Sequence, residues 1–156
     1  MKKTSATLAA LAALAVAAAP AAATDYKGKT KAGHTITFKR SGTKITKLQS
    51  MVPTLCATSS GGTYDTKAGG DPYMPPGSFQ IGETTKRKTL QRTAFYPAKV
   101  TKNYTFTAKS GKNGKVSGKL DENFSYSILG IDLYGNPYIR IYICRGVTTF
   151  TASPTK

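Results

Sequence analysis

The chain predicts an all-β fold: a single antiparallel β-sandwich or flattened barrel following a cleaved N-terminal signal helix. Three observations predict it. Past the leader, apolar and polar residues alternate with a period of two in segment after segment. Clusters of Gly, Ser, Asn and Pro punctuate those segments at short spacings. Only one later stretch reads as a short helix, so strands must pack on strands.

The leader comes first. "MKK" supplies two lysines, "TLAALAALAVAAAP" follows as an Ala/Leu run, and "AAA" at 21–23 offers small residues to a signal peptidase. That is the order of a secretory signal. The run is too short for a comfortable span of about 20 residues, and Pro20 ends it. The expected division is a signal peptide over 1–23 and one β-domain over 24–156. No second apolar run could cross a bilayer. The processed protein is therefore expected to be secreted or attached to the cell surface, and not transmembrane.

The strands follow in order. "HTITFKR" alternates, with Ile36 and Phe38 on one face, and "SGT" reads as a tight turn. "KITKLQSMVPTLC" returns as a second strand, with Pro53 marking an edge or a bulge. Residues 58–78, "TSSGGTYDTKAGGDPYMPPGS", form a long Gly/Ser/Pro-rich connection, and such connections are either functional or floppy. Tyr64, Asp65, Asp71 and Tyr73 in it could face a ligand. "TKRKTLQRTAF" is the stretch that reads as a short helix, ended by Pro97. "NYTFTAK" and "KVSGKLDENFSYS" then make the clearest hairpin, joined by "SGKNG". In the closing run "YIRIYIC", Ile139, Ile141 and Ile143 share a face, while Cys144 lies with Tyr138, Arg140 and Tyr142. If the isoleucines form the core side, Cys144 needs a bulge, an inter-element contact or a strand covered on both faces.

Two cysteines in an exported chain predict one disulfide, Cys56 to Cys144. A catalytic thiol would need a histidine, and the one histidine, His34, sits beside a turn with no positioned nucleophile or orienting carboxylate. Of the seven acids only Asp121 and Glu122 adjoin, and consecutive strand residues face opposite ways. Their "DEN" step reads as solvated. Zinc ligands, a calcium loop and a phosphate-cradling loop are missing as patterns. The expectation is a non-enzymatic protein with no cofactor and no metal.

Charge is the remaining signal. The formal net charge is +16, and lysines outnumber arginines 18 to 5. Lysine is a hydrated point charge, suited to diffuse attraction rather than to a shaped bidentate site. Between Thr84 and Leu120 there are ten basic residues and no acid. Lys86, Arg87, Lys88, Arg92, Lys109, Lys112, Lys115 and Lys119 are the candidate polyanion-binding residues, with Tyr96 and Tyr104 interleaved for stacking. A second acid-free stretch, from Tyr26 to Tyr64, holds seven more basic residues. The expected partner is an anionic cell-wall polymer or another polyanion. The alternative is a protein-interaction module, inhibitor- or receptor-like, using the 58–78 loop to hold a protein partner.

The motif order adds a resemblance. "YKGKTKAGHTITFKRSGTKITKLQ", "GSFQIGE", "GKVSGKL" and "CRGVTTFTA" resemble, over roughly residues 26 to 152, a family of small exported β-rich proteins of actinobacteria. Those share a G-x-T-x-x-G opening, an I-x-F strand and a closing Cys-x-G strand. The resemblance implies a compact β-sandwich with its two cysteines paired, and no activity. This chain departs in having Phe150 where the family carries a tryptophan, and in its wealth of lysine.

Overall fold

A computed structural model describes residues 22–155 except 59, 66–70 and 93–98. The leader expected over 1–23 thus falls almost wholly outside the described residues. The strands in chain order are β1 (Thr24–Thr30), β2 (Thr35–Ser41), β3 (Lys44–Val52), β4 (Thr54–Thr58), β5 (Thr63–Asp65), β6 (Asp71–Tyr73), β7 (Phe79–Gln80), β8 (Thr84–Arg92), β9 (Lys99–Ser110), β10 (Val116–Ile131) and β11 (Pro137–Pro154). The only helical turn among the described residues is the 3-10 turn Lys112–Gly114.

The strands form one antiparallel sheet in the order β6-β3-β2-β1-β11-β10-β9-β8, with β4 also on β11, β5 on β4 and β7 on β3. The sheet curls until its two ends meet across the core. Tyr73 of β6 packs edge-on against Tyr104 of β9 at 5.0 Å, and Phe79 of β7 lies 4.8 Å from Phe106. The all-β expectation of a sandwich or flattened barrel is met by this curled, half-barrel sheet.

Small residues make the curl possible. Gly118 pairs across to Ala108 on one side and Phe150 on the other, and a Cβ there would stand 2.1 Å from Thr107 O. The Phe150 ring covers that gap, stacks on Phe106 and meets Phe38 edge-on. The main core gathers Ile36, Phe38, Ile45, Phe79, Phe106 and Leu120, each almost wholly buried. In β3 the alternation slips by one residue, so that Ile45 and Leu48 are both buried. The register shift opposite Thr37–Lys39, with Lys47 at φ +53°, marks the bulge responsible.

Three local expectations change. "TKRKTLQRTAF" is extended as far as Arg92, as the edge strand β8 hydrogen-bonded along β9. Helix-compatible residues yield there to a neighbouring strand that needs its backbone groups paired. The 58–78 connection contains structure: β5 pairs with β4, and β6 with β3. Tyr73 does not face a ligand, because its ring is buried and its hydroxyl donates to Thr105 O at 2.9 Å. The side chains of Tyr64, Asp65 and Asp71 lie outside the described set.

The third change is the phase of β11. Cys144, Gly146, Thr148, Phe150 and Ala152 face inward, and Ile139, Ile141 and Ile143 face outward and are exposed. Inward space near Val52 and Pro53 is so tight that only a Cβ-free residue fits at 146, where a Cβ would meet Val52 Cγ1 at 2.7 Å. Cys144 therefore needs no bulge. It stands directly opposite Cys56 on β4, with Cα atoms 4.0 Å apart and the sulfurs bonded.

Candidate functional site

The outer face of β8, β9 and β10 carries the charge singled out from sequence. In β8, alternate residues face opposite ways. Gln91 turns inward to accept a hydrogen bond from Tyr104 Oη, so Lys86, Lys88 and Arg92 share the outward phase with exposed Leu90. Lys86 pairs with Thr105 and Lys88 with Asn103, while Lys109 lies further along β9 opposite Ser117. Lys119 of β10 stands opposite Thr107 and Thr149. Neighbouring strands lie about 4.8 Å apart and alternate residues about 6.8 Å, so Lys86 falls within a Debye length of Lys88, and Lys109 of Lys119. A shallow groove of about 540 Å³ crosses this face, lined by Lys109, Lys119 and the exposed Glu83 together with Thr107, Ser117 and Thr149.

The remaining candidates divide. Lys112 and Lys115 are exposed around the 3-10 turn beyond Lys109. Arg87 belongs to the opposite phase. Its guanidinium donates to Ser78 O at 3.0 Å and to Lys86 O, and lies 5.9 Å from the Phe79 ring. It closes the rim of the barrel. Tyr96 lies outside the described residues, and Tyr104 is buried and cannot stack on a ligand.

Arg145 joins the same outer face, opposite Asn123, although it lies beyond the acid-free block. It donates to Asp121 Oδ2 at 3.0 Å, and Lys119 Nζ stands 3.7 Å from the same oxygen. That hydrogen bond, with the carboxylate's charge, raises the Arg145 pKa above its ordinary value. Asp121 is thus spanned by two cations, and the three groups together keep a net positive charge.

Comparison of the chain with protein-family models, curated proteins and solved structures finds no match. The likeness to exported actinobacterial β-proteins accordingly rests on sequence motifs alone.

Two charges expected at the surface are inside. Glu122 is completely buried, as is Lys102 of the basic stretch, with Nζ 3.5 Å from Glu122 Oε2. Thr54 Oγ1 lies 3.3 Å from Glu122 Oε1, and Lys102 Nζ sits 4.7 Å over the Phe124 ring. The phase of their strands could have found them. Lys102 keeps step with Tyr104, Phe106 and Ala108, and Glu122 with Leu120 and Phe124. The pair sits between the main core and a second cluster of Cys56, Val100, Phe124 and Cys144. Burial, and next the Glu122 charge, push the Tyr73 phenol well above its ordinary pKa.

The cysteines are bonded to each other, so neither can serve as a nucleophile with His34. His34 is half-buried in the Thr30–His34 turn, where its N–H donates to Thr30 Oγ1 at 3.2 Å. No cluster of three His, Cys, Asp or Glu side chains with metal-binding geometry occurs among the described residues.

Proposed function

We propose that this is a secreted, non-enzymatic binding domain that associates electrostatically with anionic polymers of the cell envelope through the outer face of β8, β9 and β10. The observation that supports this most is the shared phase of Lys86, Lys88, Lys109 and Lys119 on three adjacent strands. Of the two acids beside them, Asp121 is held by Lys119 and Arg145, and Glu83 stands at the edge of the groove. A face of this kind reads charge density rather than a specific shape, because lysine ammonium groups on strands are mobile and hydrated. Affinity is then dominated by counterion release and falls steeply with salt.

The test uses soluble polyphosphate and purified wall teichoic polymer as probes. Binding should weaken by at least about tenfold between low and physiological salt. Changing Lys86, Lys88, Lys109 and Lys119 together to Gln should abolish most of it, whereas Lys27→Gln with Lys29→Gln on β1 should change it little. Binding that ignores salt, or that survives the fourfold change, refutes the proposal.

A further inference from the structure

β10 and β11 pair from Val116–Ala152 out to Ile131–Pro137, but β9 follows β10 only to Phe124. On the other side, among the described residues, β4 follows β11 from Gly146 to Tyr142. Beyond both neighbours, among the described residues, the hairpin runs on as a two-stranded ribbon over 128–131 and 137–140, four residues per strand and about 14 Å long at 3.4 Å per residue. Its outward phase is aliphatic. Leu129 is 74% exposed, Ile131 72%, Ile139 66% and Ile143 65%, with Leu133 fully exposed at the tip. Leu129 and Ile139 are direct cross-strand partners. Two-stranded ribbons gain little from burying one face, so nothing in folding explains so much aliphatic surface in water.

The aliphatic face continues into the basic one. Ile143 stands opposite Ser125, and the next outward pair along the same two strands is Arg145 and Asn123. Lys88 and Leu90 of β8 line, with Ile143, Asn103 and Asn123, a groove of about 640 Å³ at that junction. Distal to it the ribbon is almost uncharged: within residues 125–143 there are only Asp132 and Arg140. Arg140 lies in the even-numbered phase, away from Leu129, Ile131, Ile139 and Ile143, and Asp132 lies past the end of β10 with its carboxylate on the Tyr134 and Asn136 N–H groups. One side of the sheet is therefore cationic at its root and aliphatic along its length. That pattern is complementary to one kind of surface, in which negative charge overlies hydrocarbon.

We propose that this face seats on an anionic lipid bilayer. The aliphatic side of the ribbon enters the boundary between headgroups and acyl chains, and Lys86, Lys88 and Arg145 meet the headgroup phosphates. The ribbon lies along the interface and does not span the membrane. The Asp132 carboxylate stays bound to the N–H groups of the closing turn. Attraction to the headgroups deepens the polyanion reading above and rests on it, whereas the hydrocarbon contact is additional and separable.

The experiment exploits the absence of tryptophan from the chain. Leu133→Trp places a single reporter at the tip. With vesicles of phosphatidylglycerol and phosphatidylcholine, its emission should shift to the blue and be quenched by brominated acyl chains. Neither change should follow addition of soluble polyphosphate. In the otherwise unchanged protein, Leu129→Ser with Ile139→Ser should lower vesicle affinity by at least about tenfold while leaving polyphosphate binding intact. Circular dichroism checks that both variants fold. Vesicle binding unaffected by the serine pair, with polyphosphate binding retained, overturns the lipid inference and leaves the polymer reading standing. Binding to neither probe removes both. A serine-sensitive dimer in sedimentation equilibrium, without vesicle binding, assigns the ribbon to a second copy of the chain and also overturns the inference.

Discussion

Lys102 and Glu122 occupy inward positions whose strand neighbours are Tyr104, Phe106, Leu120 and Phe124. A charge in such surroundings is tolerable only while its partner and hydrogen bonds remain. Lys102→Met leaves the Glu122 carboxylate buried beside Tyr73 and Thr54 with its nearest cation gone. The expected loss is about 3–5 kcal/mol, read from urea unfolding. Replacing both, Lys102→Met with Glu122→Leu, removes the uncompensated charge and keeps the volume. The double variant should regain most of that stability or exceed the parent. A double variant as unstable as the single one would mean that the pair supports the barrel by more than mutual neutralisation. Gly118 is a second single-residue test, since Ala there would collide with Thr107 O and displace the Phe150 ring. It should cost about 1–3 kcal/mol in the same measurement.

At the scale of elements, the turn that closes the β10–β11 ribbon depends on Asp132. Its Oδ1 accepts the N–H groups of Tyr134 and Asn136 at 2.9 and 2.8 Å, and its Oδ2 accepts from the Asn136 side chain. These bonds, the Asn136 N–H foremost, hold the carboxyl below its ordinary pKa of 3.8. A lowered folded pKa means that the contribution is complete above the unfolded value of 3.8. It is lost as pH falls below that value through the folded pKa. Amide exchange at residues 133–136, measured by NMR, should accelerate below that pH relative to the intrinsic rate. Asp132→Ala should show the accelerated exchange at neutral pH and no further acid step. The hairpin around "SGKNG" was legible because turn chemistry and alternation agree there, whereas Pro53, expected to mark an edge or a bulge within one strand, divides β3 from β4. β8 was not, because Lys, Arg, Leu and Gln suit a helix and only the neighbouring β9 decides otherwise. In β11 the greasier side is the wet one. Apart from Phe150, the inward side is built from the small residues Cys144, Gly146, Thr148 and Ala152, with close approach deciding position 146. Burial ranked by side-chain apolarity inverts that strand, and with it hides the ribbon's exposed face. Among the candidate site residues, phase along the strand separates outward Lys86 and Lys88 from Arg87 and from buried Lys102, a distinction that counting charges does not make.

For the whole molecule, the disulfide is placed where the sheet branches. β11 gives one edge to β1 near its end and to β4 further back, so β4 and the β5 strand beyond it hang from the sheet on five paired residues. Cys56–Cys144 ties that flap to the strand that also carries the ribbon, closing a sequence separation of 88 residues. Chain entropy alone assigns such a closure about 4–5 kcal/mol, a large share of the stability of one domain. Both sulfurs are fully buried against Val100 and Phe124, so reductant must wait for the flap to open. Dithiothreitol should therefore leave the folded protein unreacted for far longer than the urea-unfolded one, as followed by alkylation and mass. Cys56→Ala with Cys144→Ala should lower the unfolding midpoint by an amount matching several kcal/mol, with exchange protection lost first in β4 and β5. If protection in β1, β2 and β3 disappears at the same rate, the flap and the barrel open as one unit, and the bond holds the whole sheet rather than its branch.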